Sequence, residues 1–135
     1  RPAVRVIAVE PENAAGFLAA CLQGEPRAAF LAPTLADGLA VATVGAKTFA
    51  VAAGLVDDVI TVSEREITGA ISLLARVEGI VAEGAGAVAL AAVLAGKVSG
   101  RALVLPIGGR NIDARVHENL VALGEVISAK LAQAA

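Results

Sequence analysis

Val56-Asp57-Asp58-Val59-Ile60-Thr61-Val62-Ser63-Glu64-Arg65-Glu66 carries a strand, a helix cap and a first helical turn in one short stretch. The β-branched run Val56–Val62 predicts a strand. Ser63 then opens a capping box: its hydroxyl is placed to accept from the Glu66 N–H while the Glu66 side chain reaches back. Ile67, Ile71 and Leu74 follow at helical spacing, so the helix is expected to bury one face.

The same alternation extends in both directions. Upstream, Val4-Arg5-Val6-Ile7-Ala8-Val9-Glu10 is another β-branched run that stops at Pro11, as a buried strand would. Glu12 to Leu22 has helical composition and is closed by Gly24. Residues 25–38 read as a loop punctuated by Pro26, Pro33 and Gly38, and Val41 to Ala53 as a short helix ending at Gly54. Downstream, Gly84 opens an Ala/Val/Leu-rich helix that runs to about Ala95 and closes at Gly96. Arg101-Ala102-Leu103-Val104-Leu105-Pro106-Ile107 is expected to be a third strand, with Pro106 near its end. Gly108-Gly109 makes a turn, and a last helix presents Val116, Leu120, Leu123, Ile127 and Leu131 on one face. Strands alternating with helices imply an α/β chain, part of an open, mostly parallel twisted sheet flanked by helices. A three-stranded parallel sheet leaves an open edge or needs strands from elsewhere.

The 135 residues suit one domain or part of a larger one. Size scaling would expose roughly 6,500 Å² of the roughly 19,000 Å² of the extended chain. Hydrophobic residues make up 57% and charged residues 18%, against about 45–50% and about 25% in an average domain. Much of the excess is alanine, and aromatics are only 2%. Such a body is expected to expose apolar surface unless something covers it, either a complementary part or a second copy. There is no methionine, so Arg1 is not read as a translation start, and the chain is expected to be cut from a longer one. The apolar run after Arg1-Pro2-Ala3-Val4-Arg5 is too short for a signal peptide.

Eleven basic against 13 acidic residues give a net charge of −2, too weak for nucleic acid or an acidic membrane surface. No Lys/Arg run exceeds one residue, and there is no Tyr or Trp on which bases could stack. The most apolar window, Gly38 to Val56, carries Lys47 and several glycines, so no membrane partner is expected. Single Cys21 excludes an intramolecular disulfide and a multi-cysteine zinc site, and a reduced, cytoplasmic setting is expected. Cys21 itself is read as a buried small hydrophobe.

Three features carry candidate chemistry. Gly84-Ala85-Gly86-Ala87-Val88-Ala89 fits G-x-G-x-x-A before a helix, but the ribose-binding acid expected about 20 residues later falls among Leu103 to Ile107. The competing reading is glycines needed for close packing. Gly108-Gly109-Arg110-Asn111-Ile112-Asp113 lies beyond the carboxyl end of the expected third strand, where open α/β sheets bind ligands. Its bland alternative is a plain connection with Asp113 as helix N-cap. Glu83, embedded in an apolar stretch, faces a ligand or accepts helix N–H groups. His117 is expected at the surface or in packing, with no metal role. Asp57-Asp58 is expected to face solvent at a strand edge.

In chain order, Val6-Ile7-Ala8-Val9-Glu10-Pro11-Glu12, Leu35-Ala36-Asp37-Gly38-Leu39-Ala40-Val41, Leu55 to Glu64, Glu83-Gly84-Ala85-Gly86-Ala87 and Gly108-Gly109-Arg110-Asn111-Ile112-Asp113 form a series. It resembles the C-terminal half of threonine dehydratases and serine racemases, pyridoxal-phosphate enzymes of the tryptophan-synthase-β type (fold type II). The resemblance covers about Val4 to Asp113. It implies β-elimination on a hydroxy amino acid: the α-proton is removed, the β-hydroxyl leaves, and hydrolysis gives a 2-oxo acid and ammonia. Pyridoxal 5'-phosphate would store the carbanion charge while the protein orients the bonds.

The resemblance also nominates residues. Asp37, Gly38 and Leu39 would border the cofactor and substrate pocket, and Glu83 would sit near the pyridine ring. The family's Ser-Gly-Gly-Asn stretch maps onto Gly108-Gly109-Arg110-Asn111, so the hydroxyl that partners the ring nitrogen is missing at Gly108. Some members hold a cation through an acid before Pro, a carbonyl four residues on and a second acid. Here Glu10 and the carbonyl of Ala14 remain, but Gly16 replaces the second acid, and no metal is expected. The Schiff-base lysine motif and the tetraglycine phosphate loop have no counterpart, and Lys47, Lys97 and Lys130 lack that context. Residues 1–135 are therefore expected to be the C-terminal portion of a catalytic domain, with no catalytic residue of their own. The implied partners are a complementary N-terminal half, a small amino-acid substrate and further copies in a homo-oligomer. Two alternatives stand beside this: a non-catalytic oligomerisation or regulatory module, and a nucleotide-binding α/β domain.

Overall fold

The computed structural model describes residues 3–134, except the side chains of Leu131 and Ala134. Arg1, Pro2 and the expected packing of Leu131 thus lie outside the described residues. Strand β1 (Ile7–Pro11) pairs in parallel with β2 (Asp58–Val62), in the register Ile7↔Asp58 to Pro11↔Val62. A parallel pair needs a long crossover. Here it holds one 3₁₀ turn (Glu12–Ala14), helix α1 (Gly16–Gln23), a second 3₁₀ turn (Asp37–Leu39) and helix α2 (Ala46–Ala52). Helices α3 (Glu64–Val77), α4 (Gly84–Leu94) and α5 (Ala114–Ala134) follow β2. The α/β class with a parallel sheet flanked by helices is as expected.

The β2–α3 junction forms as its sequence dictates. The Glu66 N–H donates to the Ser63 Oγ at 3.3 Å, and the Ser63 N–H donates to Glu66 Oε2 at 2.7 Å. Lys97, just past α4, donates from Nζ to Glu66 Oε2 at 2.8 Å and to the Thr61 carbonyl at 3.0 Å. One ammonium therefore ties the end of α4 to both the strand and the following cap. Behind this junction Ile67, Ile71 and Leu74 are buried with Val62, Ala87, Val88, Ala91 and Ala92. Full burial of an isoleucine side chain is worth about 1.5–3 kcal/mol, so Ile67 and Ile71 are the main anchors of this alanine-rich core. Asp57 does more than face solvent: its Oδ2 accepts from the Val6 N–H at 2.7 Å, and its own N–H donates to the Val6 carbonyl at 2.8 Å. That clamp aligns the two strands at their start.

Other expectations need correction. Arg101–Ile107 makes no strand; it has no ladder partner among the described residues, and Val104 is 92% exposed. A strand is defined by its neighbour, and composition alone cannot supply one. Helix α2 begins at Ala46 rather than Val41, and the expected Glu12–Leu22 helix breaks at Ala15. Cys21 is exposed rather than buried. Its thiol is nonetheless raised above its ordinary pKa, first by partial desolvation and then by the Glu10 carboxylate. On α5, among the described residues of the expected face, only Leu120 is buried, while Val116 and Leu123 are about half exposed. The packed face is rotated onto Leu120 and Gly124, with His117, Val121 and Ile127 half-buried. A Cβ at Gly124 would overlap the Ser72 side chain, and the Ser72 Oγ donates to the Val121 carbonyl at 2.9 Å. Close approach at a glycine, rather than the apolar stripe, sets the rotation of this helix.

Candidate cofactor-binding wall

The loops around the start of α4 converge. Gly84 and Gly86 leave no room for side chains: a Cβ at 84 would overlap the Leu35 carbonyl, and one at 86 the Gly108 carbonyl. The two glycines of the G-x-G-x-x-A pattern thus bring the Leu35–Leu39 loop and the Gly108–Asn111 loop against one helix start. Close packing accounts for both, and residues 79–83 before them are not a strand.

Glu83 stands at the N-cap position of α4, yet its side chain caps none of that helix's amides. Instead Oε2 accepts from the Asn111 N–H at 2.9 Å, and the Glu83 N–H donates to the Gly109 carbonyl at 3.3 Å. Gly109 has φ +84°, and a Cβ there would overlap the Glu83 carboxylate. This glycine is required twice, by its left-handed backbone and by the acid lying against it. Position 38 is near as well: a Cβ there would lie 3.3 Å from the Ala85 Cβ and 4.0 Å from Glu83 Oε1. Gly38, Glu83, Gly108 and Gly109, distant in sequence, therefore form one cluster. Leu39 leaves it and packs partly against the core.

Gly38 and Leu39 also line a cleft of about 310 Å³ with Glu10, Phe17, Val41, Val44, Gly45 and Thr48. Both carboxylate oxygens of Glu10 are engaged there, accepting from the Phe17 and Leu18 N–H groups at 2.8 Å each. A Cβ at Gly16 would lie 2.7 Å from the Val41 carbonyl oxygen. A second hollow, about 340 Å³, lies between α3 and α5 beside His117 and Glu118 and holds none of the cluster. Asp113 caps α5 as its sequence suggested, with Oδ1 accepting from the Arg115 and Val116 N–H groups at 2.9 and 3.1 Å.

Two contributors were not foreseen. The Asn111 main chain holds Glu83, and Glu64 Oε2 accepts from the Leu35 N–H at 2.7 Å. Neither leaves a mark in the sequence, because Asn111 acts through its backbone and Glu64 reads as an ordinary first-turn acid. Gly108 is the open point of the cluster, with nothing within 4 Å of the place its Cβ would occupy.

An α/β chain that gathers an acid and two glycine-containing loops at a helix start has the architecture of a ligand-binding enzyme wall. Over residues 1–109 the sequence matches the family described as pyridoxal-phosphate dependent enzyme, and the chain belongs to that family. It is 39% identical over 130 residues to an L-threonine ammonia-lyase of Thermotoga maritima, covering 96% of this chain and 32% of that protein. The crystal structure of a T.th. threonine deaminase superimposes with a TM-score of 0.77 at 35% identity, over 83% of this chain and 42% of that one. The processed form of threonine deaminase isoform 2 from Solanum lycopersicum gives 0.79 at 30% identity, over 90% of this chain and 37% of its own. These neighbours share the fold type II architecture. The chain spans about a third of the length of the curated relatives it matches.

The residues present fit one wall of a pyridoxal-phosphate site. An acid fixed by main-chain N–H and a glycine surface open at Gly108 suit the edge of a flat heteroaromatic ring. No lysine belongs to this wall among the described residues. Lys97 is held by Glu66 and Thr61, Lys47 is exposed on α2, and Lys130 is exposed on α5. No helix among the described residues is long and apolar enough to cross a membrane.

Proposed function

We propose that this chain is part of a pyridoxal-phosphate-dependent lyase of the threonine/serine ammonia-lyase type. The reaction is β-elimination of a hydroxy amino acid, giving a 2-oxo acid and ammonia. The observation that carries this reading is the meeting of Gly38, Glu83 and Gly109 at the start of α4. Bound there, the cofactor would supply the electron sink for the carbanion. In this reading Glu83, held by the Asn111 N–H, presents a fixed carboxylate to the ring side. Gly108 and Gly109 keep that face free of side chains. Gly38 and Leu39 border the place where substrate enters.

The chain is proposed to act only with a complementary part that brings the reactive lysine and the phosphate loop. Its exposed surface supports this: 8256 Å², against the roughly 6,500 Å² that size scaling gives for a self-contained fold. A cytoplasmic, homo-oligomeric enzyme with a small amino-acid substrate completes the proposal. The test adds pyridoxal phosphate to the purified chain with and without its complementary part and follows the visible absorbance of lysine-bound cofactor. We expect that band only in the complemented sample. A band in the isolated chain, assigned to Lys47, Lys97 or Lys130, would overturn the placement of the reactive amine.

A non-catalytic module is the second reading, favoured by the missing hydroxyl at Gly108. Because that position is open, the Cβ of Gly108→Ser meets no neighbouring atom. Tighter cofactor binding by the complemented Gly108→Ser protein supports the lyase reading, and unchanged binding supports the module.

A further inference from the structure

We infer that Glu64 is a positioning residue for the cofactor wall, acting through the main chain of Leu35 on the loop that carries Asp37, Gly38 and Leu39. The inference rests on the proposed function for its purpose, but its geometry stands alone. Glu64 Oε2 accepts from the Leu35 N–H at 2.7 Å, while the Leu35 carbonyl sits against Gly84 at the start of α4. One residue of the loop is thus bonded to α3 through its N–H and packed against α4 at its C=O. From there the chain turns tightly: the Thr34 Oγ1 accepts from the Ala36 N–H at 3.1 Å, and the Leu39 N–H donates to the Ala36 carbonyl at 2.8 Å. Gly38 arrives beside Ala85 and Glu83 only if Leu35 is fixed.

The other oxygen, Glu64 Oε1, is buried with no hydrogen-bond partner among the described residues. An unpartnered buried carboxylate oxygen is a cost. A residue chosen only to favour the start of α3 could project into water, as Arg65 beside it does. The cost is offset by the charge-assisted bond to Leu35, the kind that is short and strong.

Amide hydrogen exchange on the 135-residue chain tests the anchor, using Glu64→Ala, Glu64→Gln and Lys97→Ala. Lys97→Ala weakens the same helix start without touching the loop. We expect Glu64→Ala to speed exchange across residues 35–39 about tenfold more than Lys97→Ala does. Glu64→Gln, which keeps an acceptor oxygen, should restore most of the protection. Equal acceleration in Glu64→Ala and Lys97→Ala, or no rescue by Gln, overturns the anchor. In the complemented protein, Glu64→Ala should weaken pyridoxal-phosphate binding and Glu64→Gln should recover it; unchanged affinity with a released loop overturns the positioning role. Failure of the unsubstituted complemented protein to bind cofactor overturns the proposed function instead, and leaves the exchange result to judge the anchor.

Discussion

The β2–α3 junction and the segment from Arg101 to Asn111 are built on opposite terms. At the junction the capping groups are locally partnered: Ser63 and Glu66 cap each other, and Lys97 bonds to Glu66 and to the Thr61 carbonyl. In the other segment Leu103 and Val104 are exposed, and Gly108 faces open space. The junction is a finished piece of protein. On the proposed reading the segment is the surface that meets the complementary part, and it is held where Gly108 meets Gly86 and Asn111 meets Glu83. The contrast teaches that local partners can complete one region of a chain while another region of it keeps an open apolar and glycine surface.

Substitutions sharpen the contrast, and the largest effect belongs to the finished side. Ile71→Ala removes a fully buried anchor and should cost about 2–5 kcal/mol in urea unfolding of the chain. Gly86→Ala attacks the contact that seats the second region on α4. It should cost about 1–3 kcal/mol through overpacking, and chemical shifts of residues 107–111 should move with it. A small stability loss without those shifts would break the picture of a wall assembled on α4.

The junction also predicts a pH effect. Partial desolvation raises the Glu66 pKa, but hydrogen bonds from Lys97 and Ser63 together outweigh it and hold the carboxyl below its ordinary value. The folded state therefore binds this proton less readily than the unfolded one. The stabilisation is complete above the ordinary glutamate pKa and is lost as pH falls through the lower folded value. For this partly exposed pair it is at most about 1 kcal/mol. Lys97→Ala should flatten the acid limb of the urea midpoint measured against pH.

The smallest effect is expected at Val104→Asp, within about 0.5 kcal/mol in the isolated chain, because the side chain already faces water. In the complemented protein the same change should impair assembly, measured as loss of the complex on gel filtration. Equal behaviour in both settings would mean that this surface covers nothing.

Sequence periodicity is enough for the capping box and the α3 face, because each depends on neighbours a few residues away; β1 and β2 are legible as β-branched runs, but their pairing joins residues 51 apart. It misplaces the α5 face because the apolar stripe Val116–Leu123 competes with Gly124, and only contact with Ser72 reveals which side lets two helices approach. It misplaces Cys21 in the interior because its apolar neighbours lie on a short helix whose outer side is open.

The site divides in the same way. Glu83, Gly38 and the Gly108-Gly109 turn stand out in the sequence as an acid among apolar residues and glycines at loop positions. Local rules also determine the capping box and the buried face of α3, since hydrogen-bond geometry and side-chain periodicity act over a single turn. Only the tertiary structure decided that these residues meet, that Glu83 bonds to Asn111 rather than to its own helix, and that Glu64 reaches Leu35. Those contacts join points 28 and 29 residues apart, and separations of that size are set by how helices pack.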